Sequence, residues 1–305
     1  MAIHQENFLL NSPVDGIALQ GTYIYPDAPR GIVQFVHGMA EHRGRYFGVM
    51  TALAEAGFAA VIHDHRGHGD CPLTGHFGEG GKEGMIADTR QVSLLAKGKF
   101  PSIPFWLFGH SMGSLVARCY LKRYDTELDG LFLCGTPYAP PMAIKAAQIL
   151  IALKIPFQGD SHRSHMINGL VTGAFNKAIR DPASPNQWIS YNEENVQAYD
   201  ADPLCGFCFT LSGFKCLMGL MAEAYSARNW NVRNPQLPIR FLSGEDDPCH
   251  GGVKNFDWAA LQLYRSGYDG VERKLFPAMR HEILLEQDHQ KVYTYIIESL
   301  EEFIK

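Results

Sequence analysis

The sequence predicts an α/β protein with a mostly parallel central sheet flanked by helices, and two observations carry that prediction. Short apolar runs rich in β-branched and aromatic residues alternate along the chain with longer segments of helical periodicity. Such alternation is typical of βαβ units, in which consecutive strands run parallel. The chain has 305 residues, 46% of them hydrophobic and 19% charged, so it is long enough to bury a full core without disulfides.

Six short apolar runs are predicted to be the strands of that sheet, because each combines high strand propensity with a turn signal at its end. They are residues 31–36, 58–62, 105–108, 130–134, 239–242 and 271–276. Segments of helical periodicity lie between them. Helices are expected from Phe47 to a stop at Gly57, over residues 85–96, 114–123 and 256–265, and finally through Val292, Ile296, Leu300 and Phe303.

One long segment breaks the alternation. Between about residues 136 and 235 the chain has helix-like apolar stretches at 144–153 and 217–227 and several prolines, but no clear run for a central strand. An insertion of about 100 residues between two strands is typical of a lid over a binding site. The sequence therefore predicts a core of residues 1–135 and 236–305, interrupted by a helical cap of residues 136–235.

Composition and charge exclude several classes of protein. The 27 basic and 32 acidic side chains give a net charge of −5, and no cluster of Lys and Arg could neutralise phosphates, so no nucleic acid is expected as a partner. The seven cysteines form no pair of metal-binding doublets, and the lone C-x-x-C from Cys205 to Cys208 has no second doublet, so reduced thiols are expected. The first residues lack the pattern of a secretory signal, which predicts a cytoplasmic protein.

The strongest chemical signal is a serine in the motif G-x-S-x-G. Residues 109–113 read GHSMG, directly after a predicted strand and just before a predicted helix. A strand that turns abruptly into a helix holds its central residue in a strained conformation, and glycines two positions away avoid a clash. The helix N-terminus beside that residue favours a developing negative charge. The motif therefore predicts Ser111 as a nucleophile.

A serine needs a base and a carboxylate to become a good nucleophile, and later strands supply candidates for both. Asp246 and Asp247 follow the fifth predicted strand, and His281 follows the sixth. The carboxyl ends of parallel strands meet at one edge of a sheet, where such proteins bind their ligands. His250 and His289 are rival bases, but the first is close to the acid in sequence and the second begins a surface-like helix. The residues alone do not separate Asp246 from Asp247.

A histidine-rich loop at residues 63–70 (HDHRGHGD) invites comparison with metal sites. Its spacing lacks the H-x-H-x-D-H order of dinuclear hydrolases. A hydrogen-bonded loop that shapes the floor of the site is expected instead, with no metal and no organic cofactor.

Three motifs together resemble the monoacylglycerol lipase and lysophospholipase branch of the α/β-hydrolases, a branch also known as serine aminopeptidase-like or Hydrolase_4. They are residues 37–46 (HGMAEHRGRY), residues 64–69 (DHRGHG) and the serine motif. The first is much more specific than the serine motif. The resemblance runs from about Gly31 to the C-terminus and is weakest across the cap. It implies the α/β-hydrolase fold, with the helical cap inserted in the core.

The resemblance also implies roles for individual residues. Ser111 is the nucleophile, Asp247 matches the family acid in the pattern G-x-x-D, and His281 matches the family base. The backbone N–H groups of Met39 and Met112 form the oxyanion hole. The expected substrate-binding residues are His37, Gly38, Glu41, Arg45 and His110, of which Glu41 and Arg45 match residues that hold the glycerol end of a monoacylglycerol.

These expectations define a serine ester hydrolase that works through an acyl-enzyme. Its partner is a small-molecule ester with an apolar acyl chain, with a monoacylglycerol or a lysophospholipid as the leading candidates. Leu284 stands where the family has a further histidine, which leaves the polar head group open. Apolar cap residues are expected to bind the acyl chain, among them Ile144, Ile149, Leu150, Phe207, Phe209, Phe214, Leu217, Met218, Leu220 and Met221.

Other functions stay open at this point. A small-molecule or feruloyl-type carboxylesterase fits the same triad. A peptidase similar to proline iminopeptidase would need carboxylates in the cap, for which Glu193 and Glu194 are available, and a non-catalytic ligand-binding homologue would tolerate a broken triad. Ser111 argues against dehalogenases and epoxide hydrolases, which use Asp at that position. The sequence leaves the oligomeric state and a transient contact of the cap with a membrane surface open.

Overall fold

The computed structural model describes residues 2–304, and its centre is one sheet of eight strands. The strands are β1 (Ile3–Asn11), β2 (Ala18–Pro26), β3 (Ile32–Val36), β4 (Ala59–His63), β5 (Phe105–His110), β6 (Gly130–Cys134), β7 (Ile239–Gly244) and β8 (Val271–Phe276). Their order across the sheet is β1-β2-β4-β3-β5-β6-β7-β8. The strands from β3 to β8 pair in parallel, so their carboxyl ends lie at one edge. The predicted α/β class with a mostly parallel sheet is confirmed.

Helices cover both faces of the sheet. They are α1 (Phe47–Glu55), α2 (Gly81–Lys99), α3 (Met112–Tyr124), α4 (Pro141–Gln158), α5 (His165–Val171), α6 (Gly173–Asn176), α7 (Glu193–Ala201), α8 (Leu211–Ala224), α9 (Val253–Arg265) and α10 (His289–Ile304). The core on one face takes apolar residues from α1 and α10, and the core on the other from α2, α3 and α9. The central strands are therefore buried on both sides, which explains their continuous apolar runs.

Two strands at the start of the chain were not predicted from the sequence. β1 pairs with β2, and β2 with β4, both in antiparallel fashion. β1 lies at the edge of the sheet and is exposed over most of its length, so its sequence mixes polar and apolar residues without a clear apolar run. The position of β1 and β2 depends on pairing with β4 and not on a strong local sequence pattern.

The helices α4 to α8 lie between β6 and β7. α8 packs against α3 of the core on one side and against α4 on the other, and its residues Phe214 and Leu220 are fully buried. α4 carries several exposed apolar side chains, described below. None of the helices within residues 2–304 combines the length and the apolar character that crossing a bilayer requires.

Candidate active site

Ser111 lies on the sharp turn between β5 and α3, in a backbone conformation that residues other than glycine rarely adopt. Its φ and ψ are 53° and −120°. A Cβ atom on Gly113 would come within 1.9 Å of the Val36 carbonyl oxygen, and one on Gly109 within 2.5 Å of the Gly113 carbonyl oxygen. Both positions therefore require glycine, so the motif has a steric origin.

Asp247 and His281 follow β7 and β8, and the structure brings them together. Asp247 Oδ2 lies 2.9 Å from His281 Nδ1 and accepts its hydrogen bond. The carboxylate also accepts bonds from the Ser243 hydroxyl at 3.0 Å and from the Cys249 N–H at 2.8 Å. Burial alone would raise the pKa of Asp247, but the charge and hydrogen bond of His281 outweigh it and hold the pKa below its ordinary value.

The rival residues have other partners. Asp246 accepts a hydrogen bond from the exposed Tyr191 hydroxyl at 3.1 Å. His250 Nδ1 accepts from the Gly252 N–H at 2.9 Å, while His289 lies at the start of α10 with Nδ1 2.7 Å from the Glu286 carbonyl. Ser111 and His281 line the cavity described next, and these three rivals do not.

The cavity beside Ser111 has a volume of about 570 Å³ and lies between the core and the helices α4 to α8. Its walls are mostly apolar, and they include six of the residues predicted to bind an acyl chain: Ile144, Leu150, Phe207, Leu217, Met218 and Met221. Three others in that prediction, Phe209, Phe214 and Leu220, are fully buried in the core cluster instead, and Ile149 is 52% exposed. Within residues 2–304 no hydrogen bond joins Ser111 Oγ to His281, and such bonds often form only once a substrate is bound.

The loop after β3 is held by a histidine whose tautomer can be assigned. His37 Nε2 lies 3.0 Å from the His65 N–H and accepts its hydrogen bond. Nδ1 of the same ring therefore carries a proton and donates to the Gly38 carbonyl at 2.9 Å. Because C=O and N–H point in opposite directions across a trans peptide, this bond directs the Met39 N–H away from His37. Burial, with His68 nearby, lowers the pKa of His37 well below its ordinary value and keeps the ring neutral.

The next residue, Ala40, connects this loop to the segment between β6 and β7. Its φ is 52°, and its N–H donates to His68 Nε2 at 3.2 Å. Its carbonyl accepts two hydrogen bonds from that segment, one from the Gly206 N–H at 2.9 Å and one from the Tyr199 hydroxyl at 3.0 Å. No hydrogen bond within residues 2–304 uses the N–H of Met39 or of Met112, so both amides are free to bind an oxyanion.

Glu41 and Arg45 belong to a buried network. Glu41 Oε1 accepts bonds from the Gly38 N–H at 2.5 Å and from the Tyr46 hydroxyl at 2.9 Å. Arg45 Nη1 donates to Glu41 at 3.0 Å and to Glu282 at 2.5 Å. Burial raises the pKa of Glu41, but its hydrogen bond with His110 and the charge of Arg45 outweigh that and hold the pKa well below its ordinary value.

The five residues expected to bind substrate therefore divide into two groups. Gly38, Glu41 and His110 line the cavity with Ser111, whereas His37 and Arg45 do not. His37 is fully buried beneath the loop, and the guanidinium of Arg45 forms ion pairs with Glu41 and Glu282. These two side chains support residues that do face the cavity, and their direct contact with a substrate stays a prediction.

The histidine-rich loop is fixed by other bonds. Arg66 pairs with Asp88 at 2.9 Å and with Asp15 at 2.8 Å, and burial lowers the pKa of His63 and His68 to about 4.

Two groups of metal-type donors within residues 2–304 have their atoms within 4.8 Å of one another. One is Asp247, Cys249 and His281. The other is His42, Asp202 and Cys205, where His42 Nδ1 accepts from the Gly44 N–H at 3.2 Å, so Nε2 carries the proton and donates to Asp202 at 2.8 Å.

Sequence reasoning missed several residues of the site, all from the segment between β6 and β7 or from the loop after β7. Trp188 lines the cavity, and its ring lies 4.9 Å from the His281 ring between centroids. Tyr199 and Gly206 hold Ala40, and Cys249 lines the cavity beside Asp247. No motif marks these positions, because each acts through a contact that only folding creates.

An eight-stranded, mostly parallel sheet with a strained serine between strand and helix defines an α/β-hydrolase. The family described as serine aminopeptidase, S33 (Hydrolase_4) matches residues 27–288, and the chain belongs to it. This confirms the resemblance found in the sequence.

Relatives agree with that membership. A monoacylglycerol lipase of Mycolicibacterium smegmatis is 27% identical over 304 residues, covering 92% of this chain and 91% of its own length. The monoglyceride lipase of Homo sapiens is 23% identical, covering 81% of this chain and 78% of its own. The crystal structure of a thermostable carboxyl esterase from Bacillus coagulans, in complex with glycerol, matches with a TM-score of 0.88 at 29% identity over 100% of both chains. The chain is an α/β-hydrolase of the lipase and esterase type.

Proposed function

We propose that this chain hydrolyses a lipid-like carboxylic ester through an acyl-enzyme on Ser111. The observation that carries the proposal is the cavity that Ser111 shares with His281, whose ring is fixed by Asp247 at 2.9 Å. A strained serine, a histidine and a buried carboxylate in that order are the parts that nucleophilic acyl transfer needs.

In the first half of the reaction, His281 Nε2 takes the proton of the Ser111 hydroxyl as the oxygen attacks the ester carbon. Asp247 holds Nδ1 and stabilises the imidazolium that forms. The N–H groups of Met39 and Met112 bind the oxyanion, each contributing about 3–4 kcal/mol to the transition state. The imidazolium then gives its proton to the leaving alcohol, and an acyl-enzyme remains.

In the second half, His281 takes a proton from water, which attacks the acyl-enzyme carbon. The oxyanion forms again at the same two amides. The proton returns to Ser111 Oγ as the carboxylic acid leaves, so one ester and one water become one acid and one alcohol.

The size and character of the cavity favour a long acyl chain. Its apolar wall is formed mainly by α4, α5 and α8, through residues such as Leu150, Ile167 and Met218. Each buried methylene of a substrate would contribute about 0.8 kcal/mol. Together with the monoacylglycerol lipase relatives, this supports a monoacylglycerol or a lysophospholipid as the substrate.

A short-chain carboxylesterase is the second candidate, favoured by the match to the carboxyl esterase of Bacillus coagulans. A peptidase receives less support, because Glu193 and Glu194 lie on the exposed face of α7 and outside the cavity lining. The substrate amine of such a peptidase would find no carboxylate from these two residues.

Two measurements test the proposal. A fluorophosphonate probe should label the wild-type protein at Ser111 and should not label Ser111→Ala, whereas absence of an adduct on Ser111 would refute the enzyme claim. A chain-length series of glyceryl esters, assayed beside lysophosphatidylcholine, should give a kcat/KM that rises with acyl length. A preference for acetyl esters would replace the lipid substrate by a small ester.

A further inference from the structure

A buried group of charged side chains borders the cavity of the proposed site. It consists of Glu41, Arg45, His110 and Glu282, which we call the four-residue cluster, and each of these side chains is less than 10% exposed. Charges this deeply buried are costly unless they balance, because little water reaches them to screen them.

Three of the four side chains, all except His110, can be assigned a charge directly. Arg45 is always protonated. Both carboxylates meet donors only: Glu282 accepts from two nitrogens of Arg45 and from Asn195 Nδ2 at 2.7 Å, and Glu41 accepts from the Gly38 N–H and the Tyr46 hydroxyl besides Arg45. Neither carboxylate therefore needs a proton, and without His110 the cluster would carry one net negative charge.

His110 faces an acceptor at each ring nitrogen. Nδ1 lies 3.2 Å from Glu41 Oε1, and Nε2 lies 3.3 Å from the backbone carbonyl of His281. A carboxylate and a carbonyl can only accept, so both bonds require a proton on both nitrogens. The other titratable groups around the ring are Tyr46, whose hydroxyl is bonded to Glu41, Cys134 as its register partner in β6, and the ring of His281 at 4.8 Å between centroids.

We propose, resting on the function proposed above, that His110 is an imidazolium at neutral pH and acts as a positioning residue for the active site. Its charge neutralises the cluster, and its two hydrogen bonds join the loop of Glu41 to the loop of His281 across the turn that carries Ser111. Glu41 in turn holds the Gly38 N–H, next to the peptide that presents the Met39 amide.

The dependence on pH follows from the sign of the pKa change. Burial lowers the pKa of His110, but the hydrogen bond and charge of Glu41 outweigh it, and the net result is a raised pKa. A raised pKa means that the charge on His110 stabilises the fold fully below the ordinary histidine value of about 6.5. This contribution is lost as the pH rises through the folded-state pKa, where the cluster becomes negative.

The direct test is the protonation state of His110 in protein with nitrogen-15-labelled histidine, read by NMR. At about pH 7 the wild-type ring should show two protonated nitrogens. In Glu41→Gln the charges of Arg45 and Glu282 cancel without a charge on His110, so His110 should show one protonated nitrogen. A wild-type ring with one protonated nitrogen overturns the proposal, and this outcome does not depend on whether Glu41→Gln folds.

A second measurement separates positioning from mere packing. His110→Gln keeps a donor for Glu41 but cannot carry the charge, so we expect kcat to fall about tenfold. The loss of unfolding free energy relative to the wild type should shrink as the pH rises above about 6.5. His162→Gln, on an exposed loop, is the matched control and should change neither quantity. A difference in unfolding free energy that does not vary with pH would contradict a positive charge on His110. Labelling of Ser111 by the fluorophosphonate probe tests the enzyme claim separately, so the two proposals can fail independently.

Discussion

The two halves of the segment between β6 and β7 are attached to the core in different ways. Residues 187–206, which include α7, bind the core through polar groups at both loops of the site. Ile189 accepts from the Glu282 N–H at 2.8 Å, Asn195 donates to Glu282, and Tyr199 and Gly206 hold Ala40. Residues 141–176, which form α4 to α6, instead present apolar side chains to the cavity on one side and to solvent on the other.

The exposed side of α4 makes the contrast clear. Leu153 is 63% exposed, Phe157 is 89% exposed and Met142 is 81% exposed, and Leu170 of α5 is 65% exposed. A hydrogen bond from Arg163 to Thr74 at 3.0 Å ties this half to the core. Directional bonds fix a geometry, whereas apolar contacts tolerate small shifts. We infer that residues 187–206 set the geometry of the site and that residues 141–176 select the substrate.

The largest effect should come from breaking the polar attachment at Arg45. Arg45→Met leaves Glu41 and Glu282 as buried carboxylates without their cation, which should cost about 3–5 kcal/mol of unfolding free energy. Urea-induced unfolding measures the loss, and kcat should fall with it because Glu41 holds the Gly38 N–H.

Arg180→Met is the matched control. Its side chain is 96% exposed and lies 3.7 Å from an equally exposed Asp181, so the change should stay within about 0.5 kcal/mol. If Arg45→Met proved as mild as this control, the polar attachment would not be what holds residues 187–206.

A smaller effect should come from filling the apolar wall. Ala147 faces the cavity from α4, and Ala147→Phe should displace about two or three methylenes of a long acyl chain. At about 0.8 kcal/mol each, kcat/KM for long-chain esters should fall about thirtyfold, while acetyl esters should be little affected.

Ile149→Phe places the same side chain on the same helix, at a position 52% exposed to solvent. It should leave the chain-length profile unchanged. A uniform loss of activity across all chain lengths in Ala147→Phe would argue against substrate selection by this half.

The smallest effect concerns a single hydroxyl. Tyr199→Phe removes one of the two bonds to the Ala40 carbonyl and keeps the one from Gly206, so about 1 kcal/mol of transition-state stabilisation should be lost, or roughly fivefold in kcat. KM should hardly change. Tyr191→Phe, whose exposed hydroxyl bonds Asp246, should leave both constants unchanged, and a shift confined to KM in Tyr199→Phe would contradict positioning of the oxyanion loop.

Prediction from the sequence succeeded where a local pattern carries the structure. Five of the six parallel strands, β3 to β7, are buried along their whole length and therefore appear as apolar runs, and the turn at Ser111 requires glycines that the motif records. The edge strand β1 was missed for the opposite reason, since an exposed edge needs no apolar run. His37 and Arg45 lie outside the cavity lining, which the motif could not indicate, because a motif identifies a position but not the direction of its side chain.

The sequence by itself determined the α/β class and the family, and it predicted Ser111 as the nucleophile and His281 as the base, because each lies in a short segment after a strand. The choice of Asp247 over Asp246 as the acid rested on the family resemblance. Only the tertiary structure decided how these segments are held. The bond from Arg45 to Glu282 spans 237 residues and that from Tyr199 to Ala40 spans 159, and nothing in either local sequence specifies the other. The same holds for the charge on His110, which depends on the balance of three side chains that folding brings together.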